Sequence, residues 1–87
     1  MRVILYSKPE CHLCEDVKAD LLSMQREIGF ALFERNIEED PEAFVRFRYL
    51  IPVVDVDGHH LLYPPHTWHS IYQALQTIRS SSNINGS

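Results

Sequence analysis

Val3-Ile4-Leu5-Tyr6 is an unbroken apolar run, and from Leu13 the apolar residues instead recur in steps of three and four, at Leu13, Val17, Leu21, Met24 and Ile28. The first pattern suits a short buried strand, and the second lays one apolar stripe along a helix. Ser7-Lys8-Pro9 ends the strand, and Gly29 supplies a C-terminal stop for the helix. Phe30 to Ile37 then reads as a second strand. A strand, a helix and a strand in this order form a parallel, right-handed crossover. That unit makes the chain an α/β protein.

The remaining elements follow from their boundary residues. Asp40-Pro41-Glu42 is a helix start: a capping carboxylate, a proline at the first helical position and an acid in the first turn. Ala43, Phe44 and Phe47 supply the inner face of this short helix, which stops before Pro52. Val53-Val54-Asp55-Val56 and His60-Leu61-Leu62-Tyr63 flank Asp57-Gly58, a hairpin turn signal. A last helix follows Pro64-Pro65-His66-Thr67, capped by Thr67, with a stripe of Trp68, Ile71, Tyr72, Leu75 and Ile78. The order is β-α-β-α-β-β-α, which gives a four-stranded mixed sheet with helices on both faces. Residues 1–79 are expected to form one domain and residues 80–87 a polar, flexible tail.

The chain of 87 residues has room for one small core. Its net charge of −4 argues against a nucleic-acid partner. No apolar run reaches the length of a membrane span, and the N-terminus leads straight into a strand rather than a leader peptide. A cytoplasmic monomer is expected. Its only two cysteines, Cys11 and Cys14, form a C-x-x-C at the head of the first helix. They fall at the carboxyl end of the first strand, where open α/β sheets gather their chemistry. A pair so close gains little as a structural staple, because the loop it closes is tiny. In the cytoplasm such a pair is catalytic or metal-binding.

Cys11 is the candidate nucleophile. Unpaired N–H groups and the helix dipole at its position favour the thiolate. Lys8 adds to this effect, whereas Glu10, Glu15 and Asp16 oppose it. Cys14, one turn along, is the candidate resolving thiol; a free thiol such as glutathione is the other way to complete the cycle. A zinc site would need four placed ligands. His12, His59, His60, His66 and His69 offer no second half-site at a fixed spacing from the cysteines, so no metal is expected. Trp68, Phe44, Phe47 and Tyr72 are expected in the core, since they fall on helical stripes. Tyr6 either flanks the thiols or packs. Arg46 and Arg48 either hold an anionic substrate end or form a solvated face.

Three segments carry a family resemblance: Tyr6-Ser7-Lys8 leading to Cys11-x-x-Cys14, then Ile51-Pro52-Val53-Val54, then Asp57-Gly58. Over about residues 1–79 the chain resembles the glutaredoxins of the thioredoxin superfamily. It is most similar to small glutaredoxin-like proteins with a Cys-x-Leu-Cys and a Tyr-x-Ile-Pro-Val segment. The resemblance implies a thioredoxin fold and a thiol-disulfide oxidoreductase that reduces protein or glutathione mixed disulfides through a mixed disulfide at Cys11. It implies a cis-proline at Pro52 facing the Cys11 sulfur, with the Ile51 backbone pairing with an extended peptide or glutathione. Lys8 and Thr67 complete the substrate or glutathione side, Thr67 through the start of its helix. The implied partners are glutathione and disulfide-containing proteins, with no bound cofactor. Electrons come from glutathione or, as in thioredoxins, from a flavoprotein reductase. Two segments depart from the pattern. His12-Leu13 replaces a proline-aromatic pair between the cysteines, and Tyr63-Pro64-Pro65-His66-Thr67 replaces a glycine-rich turn that holds the γ-glutamyl end of glutathione. Two prolines donate no amides there. The alternative function is a non-catalytic thioredoxin-fold module that binds a partner, with redox-gated cysteines.

Overall fold

A computed structural model describes the backbone of residues 1–85 and the side chains of residues 1–81. Strand β1 (Arg2–Ser7) runs into helix α1 (His12–Ile28), which turns at Gly29 into strand β2 (Ala31–Asn36). Gly29 has a φ of 76°, a left-handed conformation that suits glycine, and its N–H donates to the Gln25 carbonyl at 2.9 Å. A single 3₁₀ turn (Ile37–Glu39) leads to helix α2 (Pro41–Phe47). The Asp40 side chain caps α2 by accepting from the Ala43 N–H at 3.2 Å, and Pro41 occupies the first turn, where its missing N–H costs nothing. Strands β3 (Val53–Val56) and β4 (His60–Leu62) form the hairpin, and helix α3 (Trp68–Asn85) ends the described chain.

The sheet order is β2-β1-β3-β4. β1 is parallel to β2 and antiparallel to β3, and β3 is antiparallel to β4. The hairpin turn is built as its residues demand: Asp57 and Gly58 both have positive φ, and the Val56 carbonyl accepts from the His59 N–H at 3.1 Å. Asp57 also ties this turn to the start of β1, accepting from the Arg2 N–H at 2.7 Å through Oδ1 and donating its own N–H to the Arg2 carbonyl at 2.8 Å.

The sheet separates two cores. On one side Val3 and Leu5 of β1 and Val54 and Val56 of β3 meet Val17, Leu21, Met24 and Ile28 of α1 and Ile71 and Leu75 of α3. The other side is smaller: Ile37, Ala43, Phe47 and Val53, with Tyr6, Ile51 and Leu61 packed around them. Tyr6 therefore packs, with its ring centroid 4.9 Å from that of Phe47. Arg79 joins the two helices of the first side, donating from its guanidinium to the Ile28 carbonyl at the end of α1 (3.0 Å).

Three apolar residues read as core or stripe positions stand in solvent. Leu13 is 64% exposed, because the inward stripe of α1 begins at Cys14 and Leu13 points away from it. Phe44 is exposed beneath the Arg48 guanidinium, which lies 5.6 Å from its ring centroid. Trp68 is also exposed; its ring stacks on Tyr72 at 4.7 Å, and its Nε1–H donates to the Ser23 hydroxyl at 2.9 Å, linking α3 to α1. The expected domain boundary at residue 79 falls inside α3, which continues to Asn85; adding residues to an existing helix is far easier than starting one. Residues 86 and 87 of the expected tail lie outside the described residues. Among the described residues no helix is long and apolar enough to cross a membrane.

Candidate active site

Register decides which loops meet. β1 and β3 are antiparallel with Tyr6 opposite Val53, so the segment after β1 and the segment before β3 lie at one end of the sheet. The first carries Cys11 and Cys14, and the second carries Ile51 and Pro52. Beneath them Ser7, the buried polar residue of β1, donates its hydroxyl to Glu34 Oε2 of β2 at 3.0 Å. Glu34 Oε1 meets the Lys18 ammonium of α1 at 3.1 Å, and this partner raises the Lys18 pKa through the hydrogen bond and its charge. The three elements around the cysteines are thus joined by a short polar chain. The ion pair is exposed and contributes little to stability by itself.

Glu10, immediately before the first cysteine, has a φ of 59°, an uncommon conformation for a residue with a side chain. It turns the chain so that Cys11 becomes the N-cap of α1. The Cys11 sulfur accepts from the Cys14 N–H at 3.2 Å, and the Cys11 carbonyl accepts from the Glu15 N–H at 3.1 Å. Cys11 and Cys14 are joined in a disulfide, with Cα atoms 5.2 Å apart. Cys11 is half-buried, whereas Cys14 is 2% exposed, so Cys11 is the more accessible residue of the pair.

Pro52 is buried and follows a cis peptide bond from Ile51. The Ile51 N–H donates to the Phe47 carbonyl at 3.0 Å, which ties it to the end of α2. The Pro52 carbonyl lies 2.7 Å from His66 Nε2; a carbonyl only accepts, so Nε2 carries the proton. Beside this contact runs a groove of about 440 Å³. One wall is α1, presenting Leu13, Asp16, Val17 and Asp20 at helical spacings of three and four. Pro52, Pro64, Pro65 and His66 form the rest.

Burial, and then the charge of Asp16, push the Asp20 carboxyl above its ordinary pKa. A raised carboxyl pKa means the folded state holds a proton the unfolded state has released. Stability therefore falls as pH rises from the ordinary carboxyl range through the folded value, and the loss is complete above it. Asp20→Asn is expected to raise the Tm slightly at neutral pH, with the gain vanishing below the ordinary carboxyl range. Thermal melts at several pH values would check this, and a variant less stable at neutral pH would contradict it.

The other candidate residues lie elsewhere around this end. Lys8 is exposed and lines a separate cleft on the β2 side, among Glu15, Glu34, Asn36 and Glu39. Thr67 caps α3: its hydroxyl accepts from the Ser70 N–H, and the Ser70 hydroxyl accepts from the Thr67 N–H, both at 3.0 Å. Arg46 lies over the Phe47 ring at 4.6 Å and Arg48 over the Tyr49 ring at 4.5 Å, so both guanidiniums cover aromatic faces of the α2 segment. Among the described residues no group of three His, Cys, Asp or Glu side chains is arranged to hold a metal ion. The sequence reading missed the groove. Its signal was there in the shared helical face of Leu13, Asp16, Val17 and Asp20, but nothing local showed that Pro64-Pro65-His66 would stand opposite.

A family model described as Glutaredoxin-like domain (DUF836) matches residues 2–85. Among solved structures, thioredoxin 1 from Thermosipho africanus superposes with a TM-score of 0.77 at 10% identity, over 95% of this chain and 99% of that one. The structural-genomics target XcR50 from X. campestris gives a TM-score of 0.74 at 24% identity, over 86% of this chain and 96% of that one. Both likenesses bear on the fold, which is the thioredoxin fold with its four-stranded mixed sheet. No curated protein matches the chain.

Proposed function

The chain belongs to the glutaredoxin-like domain family, and from that premise we propose that it is a thiol-disulfide oxidoreductase whose Cys11/Cys14 dithiol reduces protein disulfides or glutathione mixed disulfides. The observation that carries this reading is the inequality of the two cysteines: Cys11 half-buried at a helix N-cap, Cys14 buried one turn along. In the reduced protein the Cys11 thiolate attacks one sulfur of the substrate disulfide. That bond breaks, one substrate sulfur leaves as a thiolate and takes up a proton, and Cys11 is held in a mixed disulfide. The Cys14 thiolate then attacks the Cys11 sulfur, releases the second substrate thiol and closes the internal disulfide. Two electrons have passed from the dithiol to the substrate. Glutathione is the proposed reductant: one thiolate attacks the Cys11 sulfur and frees Cys14, and a second attacks the glutathione sulfur of that mixed disulfide, which restores Cys11 and releases oxidised glutathione.

The test is Cys14→Ser incubated with a disulfide substrate and followed by intact mass. A mixed disulfide at Cys11 is expected to accumulate in the variant and to be transient in the wild type. Glutathione-coupled turnover that survives in Cys14→Ser would make the cycle monothiol. Neither adduct nor turnover would sink the oxidoreductase reading. One observation favours a second reading, a partner-binding module with redox-gated cysteines: Val45, Tyr49 and Leu50 form an exposed apolar stretch just before Ile51 and Pro52. Partner capture that persists in Cys11→Ser would support it.

A further inference from the structure

We propose that the groove beside the disulfide selects protein substrates whose reactive cysteine is flanked by an apolar residue and a lysine or arginine, and disfavours anionic ones. The proposal rests on the oxidoreductase reading and adds to it the chemistry of the substrate. Two features of the groove carry it. The first is its apolar lining: Leu13, Val17 and three prolines, with Leu13 standing exposed between the two cysteines. A side chain next to the substrate cysteine that covers Leu13 removes apolar surface from water. The second is charge. The ionisable groups of the lining are Asp16 and Asp20 on α1 and His66 opposite, with no lysine or arginine. Glu10 adds an exposed carboxylate next to Cys11, whereas Glu15 and Lys8 face the separate cleft on the β2 side.

An anion would meet few donors here. Pro52, Pro64 and Pro65 have no backbone N–H, and the proton on His66 Nε2 is already directed at the Pro52 carbonyl. The N–H of Ile51 is held by the Phe47 carbonyl, and the Thr67 N–H by the Ser70 hydroxyl. A cation is favoured for the opposite reason. Asp16 and Asp20 lie one turn apart on the same helix face and repel each other, a repulsion that contributes to the raised Asp20 pKa. An ammonium or guanidinium over the pair relieves it, and at a partly desolvated groove the attraction exceeds that of a fully solvated pair.

The test uses the pre-reduced protein in single-turnover reactions with three peptides, each carrying a cysteine activated as a chromogenic mixed disulfide. They differ only in flanking Leu-Lys, Leu-Gln or Leu-Glu. A small neutral disulfide runs alongside to report the exchange chemistry by itself. The expected order of rate constants is lysine over glutamine over glutamate, with about tenfold between the extremes at low ionic strength and less as salt is raised. In Asp16→Asn/Asp20→Asn the three peptides are expected to converge within about twofold. Equal rates for all peptides in the wild type, or an order that persists in the double variant, would overturn the substrate preference while leaving exchange intact. No reaction even with the small neutral disulfide would remove the oxidoreductase reading, and the preference with it.

Discussion

Cys11→Ser is expected to lose disulfide-reducing turnover by about a thousandfold or more while keeping the fold. A serine hydroxyl stays protonated where a thiol at a helix start ionises, and it forms no disulfide with the substrate. The buried Cys14 cannot take over, because it lies behind Cys11 and is nearly inaccessible. The fold should survive for a specific reason. Cys11 serves as the N-cap of α1 by accepting from the Cys14 N–H, and serine is among the preferred residues for that task. Loss of the internal disulfide removes only a very short loop constraint. Circular dichroism and a melting curve close to those of the reduced wild type, beside absent turnover, would meet the expectation. Turnover within tenfold of wild type would overturn the assignment of the nucleophile.

The second large effect is on stability. Leu21→Ala is expected to cost about 3 kcal/mol, within the range for emptying a well-packed leucine site. Leu21 is 0% exposed and sits in the core that joins α1 to the sheet and α3. Alanine is the better helix former, so propensity works against the loss, and any destabilisation reports packing. For a domain of this size the change corresponds to a fall in Tm of roughly 12–24 °C. Leu22→Ala, one position along and 45% exposed, is the control and should shift stability by less than about 1 kcal/mol. Denaturant titrations of the two variants would check the contrast, and similar losses in both would contradict the core described here.

The parts of the fold readable from sequence were those fixed by neighbouring residues. The switch of period at Leu13, the Asp40-Pro41 start of α2 and the Asp57-Gly58 turn each rest on local sequence, and each element begins within a residue of its signal. The β-α-β-α-β-β-α order, the parallel pairing of β1 with β2 and the β3-β4 hairpin followed from them, whereas the antiparallel pairing of β1 with β3 is seen only in the folded chain. What stayed hidden depends on partners far along the chain. Leu13 obeys the stripe spacing, but its exposure is decided by where α1 begins relative to the end of the sheet. Trp68 obeys it too, yet the Ser23 hydroxyl that takes its indole proton lies on another helix. At the candidate site the cysteines were legible because a C-x-x-C carries its own chemistry. The facing wall of Pro64, Pro65 and His66 was not, because only the packing of the loop before α3 brings it to α1.

The sheet divides the molecule into two unequal layers, and that inequality has a consequence for solvent exchange. The side covered by the seven-residue α2 rests on Ile37, Ala43, Phe47 and Val53, far less apolar surface than α1 and α3 bury opposite. Small cooperative units open at lower free energy than the whole domain. Amide protons of α2 should therefore trade for deuterium through excursions that leave β1 and α1 shut. Because Phe47 holds the Ile51 N–H, each such excursion also unmasks a backbone donor beside Pro52 while Cys11 keeps its helix cap. Breathing of one layer would thus expose a hydrogen-bonding edge beside Pro52 while the helix cap of Cys11 stays fixed on the other.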